Sequence, residues 1–312
     1  MPPSHPSPEH AADARRAVAR ILRYVVVTPA RNEGEHLTRA IEAMRAQTLQ
    51  PLMWVLVDDG SDDGTAQLID RAAAQTPWIT AVHRDDRGTR QAGGGVVETF
   101  YDGHALVRGL EWDCIVKLDA DLSFGADYFE RCLARFADDP ALGIGGGTCC
   151  TEAHPETAEF ANEPAFHVRG PTKIYRRECF EQIGGLVKAP GWDTIDQFKA
   201  NMLGWRTRTF DDIFLIHHRP TGGAYGSWSN WTKNGLANWI SGYDPIFMFL
   251  KCVKRAVKQH SIEGVRHAWA LWFGFVRGWI RGVPRVDDSR LIAYVRAQQW
   301  RSLFLRRSLW KP

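Results

Sequence analysis

The sequence predicts an α/β protein with a mainly parallel central sheet flanked by helices, Rossmann-like in its alternation, and with a C-terminal helical extension. Short β-branched runs without polar alternation recur up to Leu118, as in strands that helices cover on both faces. Segments with helical periodicity separate these runs, which favours right-handed crossovers and parallel pairing. After residue 244 the strand signals end, and basic segments rich in Trp follow.

Predicted strands and helices alternate regularly in the first part of the chain. In order, they are a strand at 24–28, a helix after Asn32, a strand at 53–57, a helix at 65–74, a strand at 79–82, a helix at 96–110 and a strand at 113–118. Asn32, with Glu35 three residues later, predicts the N-terminal cap of the first helix. Leu37, Ile41 and Met44 form the buried side of that helix.

The pattern becomes mixed beyond Gly143. Strands are predicted at 142–148, 173–175 and 207–216, and helices at 177–183 and 194–203. We therefore predict three parts of the chain, which are a disordered tail at 1–19, one α/β domain at 20–242 and a basic helical extension at 243–312.

Composition is that of an ordinary globular protein. The chain has 312 residues, of which 44% are apolar, and this is enough for a sizeable core. Its six cysteines form no CxxC pair, so we predict reduced thiols in a cytoplasmic protein. The first nine residues are rich in Pro, Ser and His and lack the apolar segment of a signal peptide.

Polar clusters follow each of the four predicted strands of the first part. They lie at 28–33, 58–63, 84–95 and 119–121. Because ligands of parallel sheets bind at the carboxyl ends of the strands, these loops are expected to line one site.

Asp119 and Asp121 stand at the end of the fourth predicted strand. In an extended chain, residues two apart project to the same side. Two carboxylates about 4 Å apart repel by about 4 kcal/mol at the effective dielectric of a protein surface, which favours a bound cation. Oxygen ligands favour Mg²⁺ or Mn²⁺, and such ions commonly hold substrate phosphates. A solvated turn is the alternative.

Four ordered motifs resemble family 2 glycosyltransferases of the GT-A fold. They are VVTPARNE at 26–33, VDDGSDDGT at 57–65, LDAD at 118–121, and GWD at 191–193 with Gly204 eleven residues after Asp193. The resemblance implies a hexosyltransferase that moves a sugar from a nucleotide-diphosphate donor to a hydroxyl of a glycan or lipid-linked acceptor, as in polysaccharide biosynthesis. It also implies Mg²⁺ or Mn²⁺ dependence and an inverting displacement.

By this resemblance, the donor's base and ribose lie near Ala30, Asn32 and Glu33, with Asp58 at the base edge. An acid at a helix start is the alternative role for Glu33, and turn formation is the alternative for Asp58. Apart from the resemblance, one of Arg84, Arg87 and Arg90 in the loop after the third strand is expected to contact phosphate, with Arg87 as the candidate and a solvated basic loop as the alternative.

The resemblance also implies the metal and diphosphate contacts. Asp119 and Asp121 hold the cation across the diphosphate, and Asp121 makes the direct bond. His218 completes the metal site, with a packed strand histidine as the alternative, and Arg219 meets the diphosphate. Since adjacent residues of a strand point to opposite faces, at most one of His217 and His218 can face the metal.

Asp193 is the candidate general base. The resembling families carry an acidic pair at the start of the helix below the acceptor, and Trp192 replaces the first acid here. A carboxylate at this place can take the proton of an acceptor hydroxyl. Asp196 is a rival, and a helix cap for a helix from Thr194 is the structural alternative for Asp193.

The C-terminal extension is strongly basic. Residues 245–312 contain 14 Lys and Arg against 3 Asp and Glu. The uncharged run at 267–276 is too short to span a bilayer. Its Trp and Phe beside basic residues predict peripheral contact with the cytoplasmic face of a membrane. Packing on the α/β domain or on a second copy in a homo-oligomer is the alternative, and no nucleic-acid-binding module is recognisable.

Two other function classes share parts of this pattern. A sugar nucleotidyltransferase has a similar sheet and metal site, but it usually carries a Gly-rich basic loop after the first strand, where this chain has TPARNE at 28–33. A non-catalytic scaffold that binds a glycan or a membrane through the extension is the other class.

Overall fold

The structure is a computed structural model that describes residues 21–86, 88, 94–159, 163–219, 227–259 and 261–310. The predicted tail at 1–19 and Arg87 lie outside the described residues.

Within the described residues, nine strands form one sheet. The strands are β1 Tyr24–Ala30, β2 Met53–Asp58, β3 Ile79–His83, β4 Cys114–Leu118, β5 Leu122–Phe124, β6 Leu142–Thr151, β7 His154–Ala158, β8 Thr172–Arg176 and β9 Arg206–His217. They pair in the order β3-β2-β1-β4-β8-β6-β9-β5, with β7 on β6.

Helices cover the sheet and build the C-terminal part. They are α1 Leu37–Arg45, α2 Thr65–Gln75, α3 Gly94–Val107, α4 Tyr128–Asp138, α5 Arg177–Gln182, α6 Trp192–Met202, α7 Ser227–Ile240, α8 Pro245–Gln259, α9 Ile262–Ile280 and α10 Ser289–Leu303.

The α/β fold is confirmed. Strands β1 to β4 are mutually parallel where they pair, as the alternating elements predict. The second half of the sheet is mixed, because β8 runs antiparallel to both β4 and β6. The strands β5 and β7 are absent from the sequence prediction, because β5 has only three residues and β7 is exposed throughout and carries no apolar run.

Both faces of the central strands β1, β2 and β4 are buried. On β1, Tyr24 and Val26 belong to one core cluster, whereas Val25 and Val27 belong to the other. Because both faces of this strand are covered, apolar and polar residues do not alternate along it, which explains the uniform β-branched run.

The C-terminal helices share a third core cluster with α6. Ile195 and Phe198 of α6 are buried together with Leu271 and Phe275 of α9. The extension therefore packs on the α/β part through one face, as the structural alternative expects. None of the helices in the described part of the chain has the length and hydrophobicity needed to cross a membrane.

Candidate active site

The site lies where the carboxyl ends of several strands meet. The register aligns Ala30 at the end of β1 with Asp58 at the end of β2. Asp119 follows β4 directly, and its N–H donates to the carbonyl of Pro171 at 2.8 Å. Parallel pairing thus gathers the loops as expected.

Asn32 has a left-handed backbone, with φ of 55°. Its N–H donates to Ser61 Oγ at 3.0 Å, and its side-chain oxygen accepts from the Asp62 N–H at 3.1 Å. The predicted cap at Asn32 is not formed, because α1 begins only at Leu37 and these bonds commit Asn32 to the loop after β2. Asn tolerates this conformation better than most residues do.

Asp58 is buried beneath that loop. One carboxylate oxygen accepts from the Ser61 N–H at 3.2 Å, and the other lies 3.5 Å from His83 Nδ1. The hydrogen bond with the Ser61 N–H is the turn-forming contact that was the alternative role for Asp58.

The loop after β3 is held by Arg84. This side chain contacts Asp59 at 2.9 Å and Asp102 at 2.8 Å. Arg84 is thus engaged in a structural ion pair, and the phosphate contact predicted for this loop rests on Arg87, outside the described residues.

Glu33 and Arg219 form a bidentate salt bridge. The two guanidinium nitrogens of Arg219 donate to the two carboxylate oxygens of Glu33 at 2.9 and 2.7 Å. Burial raises the pKa of Glu33 to about 7, against the opposing charge of Arg219. The pair ties the loop after β1 to the end of β9, so the residues expected at ribose and diphosphate contact each other here.

Asp121 lies next to a histidine from β9. Its Oδ2 is 3.4 Å from His217 Nε2, and His217 Nδ1 is 3.4 Å from Glu159. Burial opposes a charge on His217, but these two carboxylates raise its pKa to about 9. Burial likewise acts to raise the pKa of Asp121, yet His217 brings it below the ordinary value.

His218 points elsewhere. Its Nε2 lies 2.8 Å from Ser123 Oγ, and its Nδ1 lies 2.5 Å from Glu152. The structure thus places the side chain of His217, and not that of His218, beside the Asp121 carboxylate. Alternation along β9 allowed either histidine to face the site, and the pairing of His217 with Leu122 of β5 fixes which one does.

Asp119 and Asp121 have the oxygen atoms that a divalent cation would need. Within the described residues, Asp121 Oδ1 is buried and has no hydrogen-bond partner. Such an oxygen fits a hard divalent ion. Asp119, paired with Lys117, would be the second ligand. The described part of the chain holds no group of three acidic, His or Cys side chains arranged for a metal.

Asp193 and Asp196 lie in different surroundings on α6. The helix begins at Trp192 after Gly191, so Asp193 sits in the first turn and is not the cap. Its half-buried carboxylate faces Gly170, where an added Cβ would lie 3.2 Å from Oδ2. Asp196 is fully buried and accepts from Lys173 at 2.8 and 2.7 Å and from the Tyr175 hydroxyl at 2.5 Å. Asp196 is therefore structural.

Two buried lysines contact the start of α6, and the sequence patterns assigned them no role. Lys117 of β4 and Lys173 of β8 are register partners. Their ammonium groups lie 5.3 and 5.5 Å from the centre of the Trp192 ring, a favourable cation–π geometry. The sequence feature that could have identified them is a lysine inside an otherwise apolar strand. Such a lysine is expected to be buried, and a buried ammonium group requires partners.

Relatives of this chain share one enzyme class. The sequence profile of Glycosyl transferase family 2 matches residues 25–187, just over half of the chain. The chain belongs to glycosyl transferase family 2. Glycosyltransferase AglD of Haloferax volcanii is 30% identical over 62% of this chain and 33% of its own length. Undecaprenyl-phosphate mannosyltransferase of Micrococcus luteus is 33% identical over 38% of this chain and 46% of its own length.

The fold comparison agrees with the family. Mannosyltransferase PcManGT from Pyrobaculum calidifontis, solved with GDP-Man and Mn²⁺, superposes with a TM-score of 0.53 at 19% identity, covering 92% of this chain and 81% of its own. The predicted GT-A fold and family 2 membership are thus confirmed. The chain spans less than two thirds of the length of the curated relatives AglD and undecaprenyl-phosphate mannosyltransferase.

Proposed function

We propose that this chain is a hexosyltransferase that moves a sugar from a nucleotide-diphosphate donor to a hydroxyl of a glycan or lipid-linked acceptor, with Mg²⁺ or Mn²⁺. The juxtaposition of the Asp119–Asp121 pair with Asp193 carries the proposal. Lys117 joins the two parts, because its ammonium contacts both Asp119 and the carbonyl of Gly170, against which Asp193 lies.

The donor would lie across the loops after β1 and β2. Ala30, Asn32 and Glu33 would contact the base and ribose, and the buried Asp58 would meet the base edge. Arg219 would then release Glu33 and bind the diphosphate. A guanidinium can bind two phosphate oxygens with the same bidentate geometry that it uses for the two oxygens of a carboxylate.

In the proposed reaction, the acceptor oxygen attacks the anomeric carbon while Asp193 accepts the hydroxyl proton. The bond from that carbon to the diphosphate oxygen breaks, and the nucleoside diphosphate leaves. A cation bound by Asp119 and Asp121, with His217 behind Asp121, would offset the charge on the leaving group. Attack from the face opposite the leaving group inverts the anomeric centre.

The relatives support the choice of substrates. PcManGT was solved with GDP-Man and Mn²⁺, which agrees with a nucleotide-diphosphate donor and a divalent ion. The name undecaprenyl-phosphate mannosyltransferase pairs mannosyl transfer with a lipid substrate. A lipid-linked acceptor for this chain would place its reaction at a membrane surface.

A thermal-shift panel of nucleotide sugars with and without Mn²⁺ tests donor binding, since a ligand of the folded state raises the melting temperature. The metal-dependent part of the shift is expected to vanish in Asp121→Asn and to persist in Asp62→Asn, which removes an exposed carboxylate. Loss in both variants, or in neither, would contradict the assignment of Asp121.

Product analysis tests the reaction class. Release of a nucleoside diphosphate, with an acceptor glycoside of inverted configuration, is expected. Release of pyrophosphate would identify a sugar nucleotidyltransferase instead. A chain that binds donor with Mn²⁺ but turns over no acceptor or water would support the scaffold function.

A further inference from the structure

The outer side of α8 is apolar. Ile246, Phe249, Leu250, Val253 and Val257 recur at helical spacing and are 41–61% exposed. Their spacing of three and four residues places them in one stripe. The opposite side of α8 is already packed, because Met248 and Cys252 are buried in the core. The outer stripe therefore has no role in the core of this chain.

A second stripe runs along α9. Ile262, Val265, Trp269, Phe273 and Ile280 are 43–91% exposed and again share one side. The inner side of α9 carries its buried residues, which include Leu271 and Phe275. Nineteen residues at 1.5 Å per residue make this stripe about 28 Å long.

The two stripes form one surface, here named the α8–α9 face and defined by the ten exposed residues above. The helices are consecutive and pack together. Phe249 of α8 meets Trp272 of α9 edge to face, with ring centroids 5.6 Å apart. An exposed apolar surface of this extent on a folded chain indicates an interaction site.

Basic side chains border the α8–α9 face. Residues 245–281 contain seven Lys and Arg against one acidic residue, Glu263. Lys254, Lys258 and Arg266 are exposed and each follows a stripe residue, and the exposed Arg277 lies four residues after Phe273. They therefore lie beside the apolar stripes and not on the buried sides of the two helices.

We propose that the α8–α9 face docks on the surface of an anionic phospholipid bilayer, with both helices parallel to the membrane plane. Trp and Phe side chains would enter the headgroup region, while the bordering Lys and Arg would contact lipid phosphates. A second copy of the chain fits less well, because a two-fold interface would bring one basic border against the other. The proposal depends on α8 and α9 alone and does not require the proposed transferase activity.

Vesicle flotation tests the proposal with the full chain. Vesicles of phosphatidylglycerol and phosphatidylcholine are compared with pure phosphatidylcholine at low and at high salt. We expect flotation with the anionic vesicles that declines as salt rises. The double variant Trp269→Glu/Phe273→Glu should reduce binding at least tenfold, because it places carboxylates on the apolar stripe.

The matched control is Leu106→Glu/Leu203→Glu, which replaces two residues that are each 48% exposed outside the α8–α9 face. The control should float like the unaltered chain, and all variants should keep their melting temperature and donor-induced thermal shift. Donor binding without flotation would overturn this proposal alone.

Three other results would also overturn the proposal. They are no flotation of the unaltered chain at low salt, equal flotation of the Trp269/Phe273 variant, and a dimer in light scattering that this variant dissociates while vesicles remain unbound. The last result would assign the face to a second copy of the chain.

Discussion

Asp193 and Asp196 stand three residues apart on α6, yet their environments differ. Asp196 is enclosed by Lys173 and Tyr175, whereas Asp193 lies half-buried beside Gly170. A proton acceptor for a substrate must be reachable by that substrate. Accessibility therefore favours Asp193 over its rival as the general base.

Asp193→Asn is expected to lower kcat by about 10²–10⁴-fold, because the amide cannot accept the acceptor's proton. Donor affinity and melting temperature should change little. Asp196→Asn is the matched comparison and should instead lower stability, since it removes the buried partner of Lys173. Steady-state kinetics and thermal melting measure both. A reversed pattern would exchange the two roles.

Lys173→Met is expected to lower the free energy of unfolding by about 3–5 kcal/mol, because it leaves the Asp196 carboxylate buried without its counter-charge. Both members of the pair are fully buried. Urea unfolding measures the change. Lys188→Met, at an exposed lysine, serves as the control and should be nearly neutral. A cost below about 1 kcal/mol for Lys173→Met would show that Asp196 is stabilised by other groups.

At the scale of elements, the Glu33–Arg219 pair joins the β1 loop to β9. Glu33 has its pKa raised to about 7 by burial. Between about pH 4.5 and pH 7 the folded chain therefore binds a proton at Glu33 that the unfolded chain has released. The contribution of Glu33 to folding stability should fall as the pH rises through this window.

Glu33→Gln removes this titration. Relative to the variant, the unaltered chain is expected to lose up to about 3 kcal/mol of unfolding free energy between pH 4.5 and pH 7.5. Urea unfolding of both proteins at several pH values measures the difference. A difference that does not depend on pH would mean that the pKa of Glu33 is close to its ordinary value.

Helices α7 and α9 approach closely at two glycines. A Cβ on Gly274 would fall onto the carbonyl oxygen of Thr232, and one on Gly235 onto that of Leu271. Gly274→Val should separate the helices and lower the free energy of unfolding by about 1–3 kcal/mol. Gly109→Val, where no atom lies within 4 Å of the new Cβ, is the control for unfolding experiments. Equal costs would indicate that helix separation is not the cause.

At the scale of the whole molecule, the extension at 243–312 is part of a shared core. Tyr243, Leu271 and Leu291 bury Ile195 and Phe198 of α6, the helix that carries Asp193. The basic extension thus supports the candidate acceptor side through one face and exposes the α8–α9 face on another.

A chain that ends at Gly242 is expected to be poorly soluble, because Phe198 and Trp239 would lose their apolar cover. The soluble fraction after expression and the near-ultraviolet circular dichroism measure this. A truncated chain that stays soluble, with native dichroism and donor binding, would show that residues 20–242 fold as an independent domain.

Local patterns predicted the parallel half of the sheet well, since uninterrupted β-branched runs require cover on both faces. The apolar run also predicted where β4 ends, and so placed Asp119 and Asp121 just after this strand. The start of α6 and the length of the loop before α1 were predicted less well. Gly191 and Asn32 adopt left-handed conformations, and Asn32 is held there by hydrogen bonds with Ser61 and Asp62, about thirty residues away in sequence.

The sequence by itself determined the α/β class, the family and the acidic residues that make a cation site plausible, because spacing and order along the chain carry that information. Only the tertiary structure decided that His217 faces Asp121, that Asp196 is enclosed and that Glu33 pairs with Arg219. These are contacts between segments far apart in sequence, and their selection depends on strand register and burial, which no local pattern specifies.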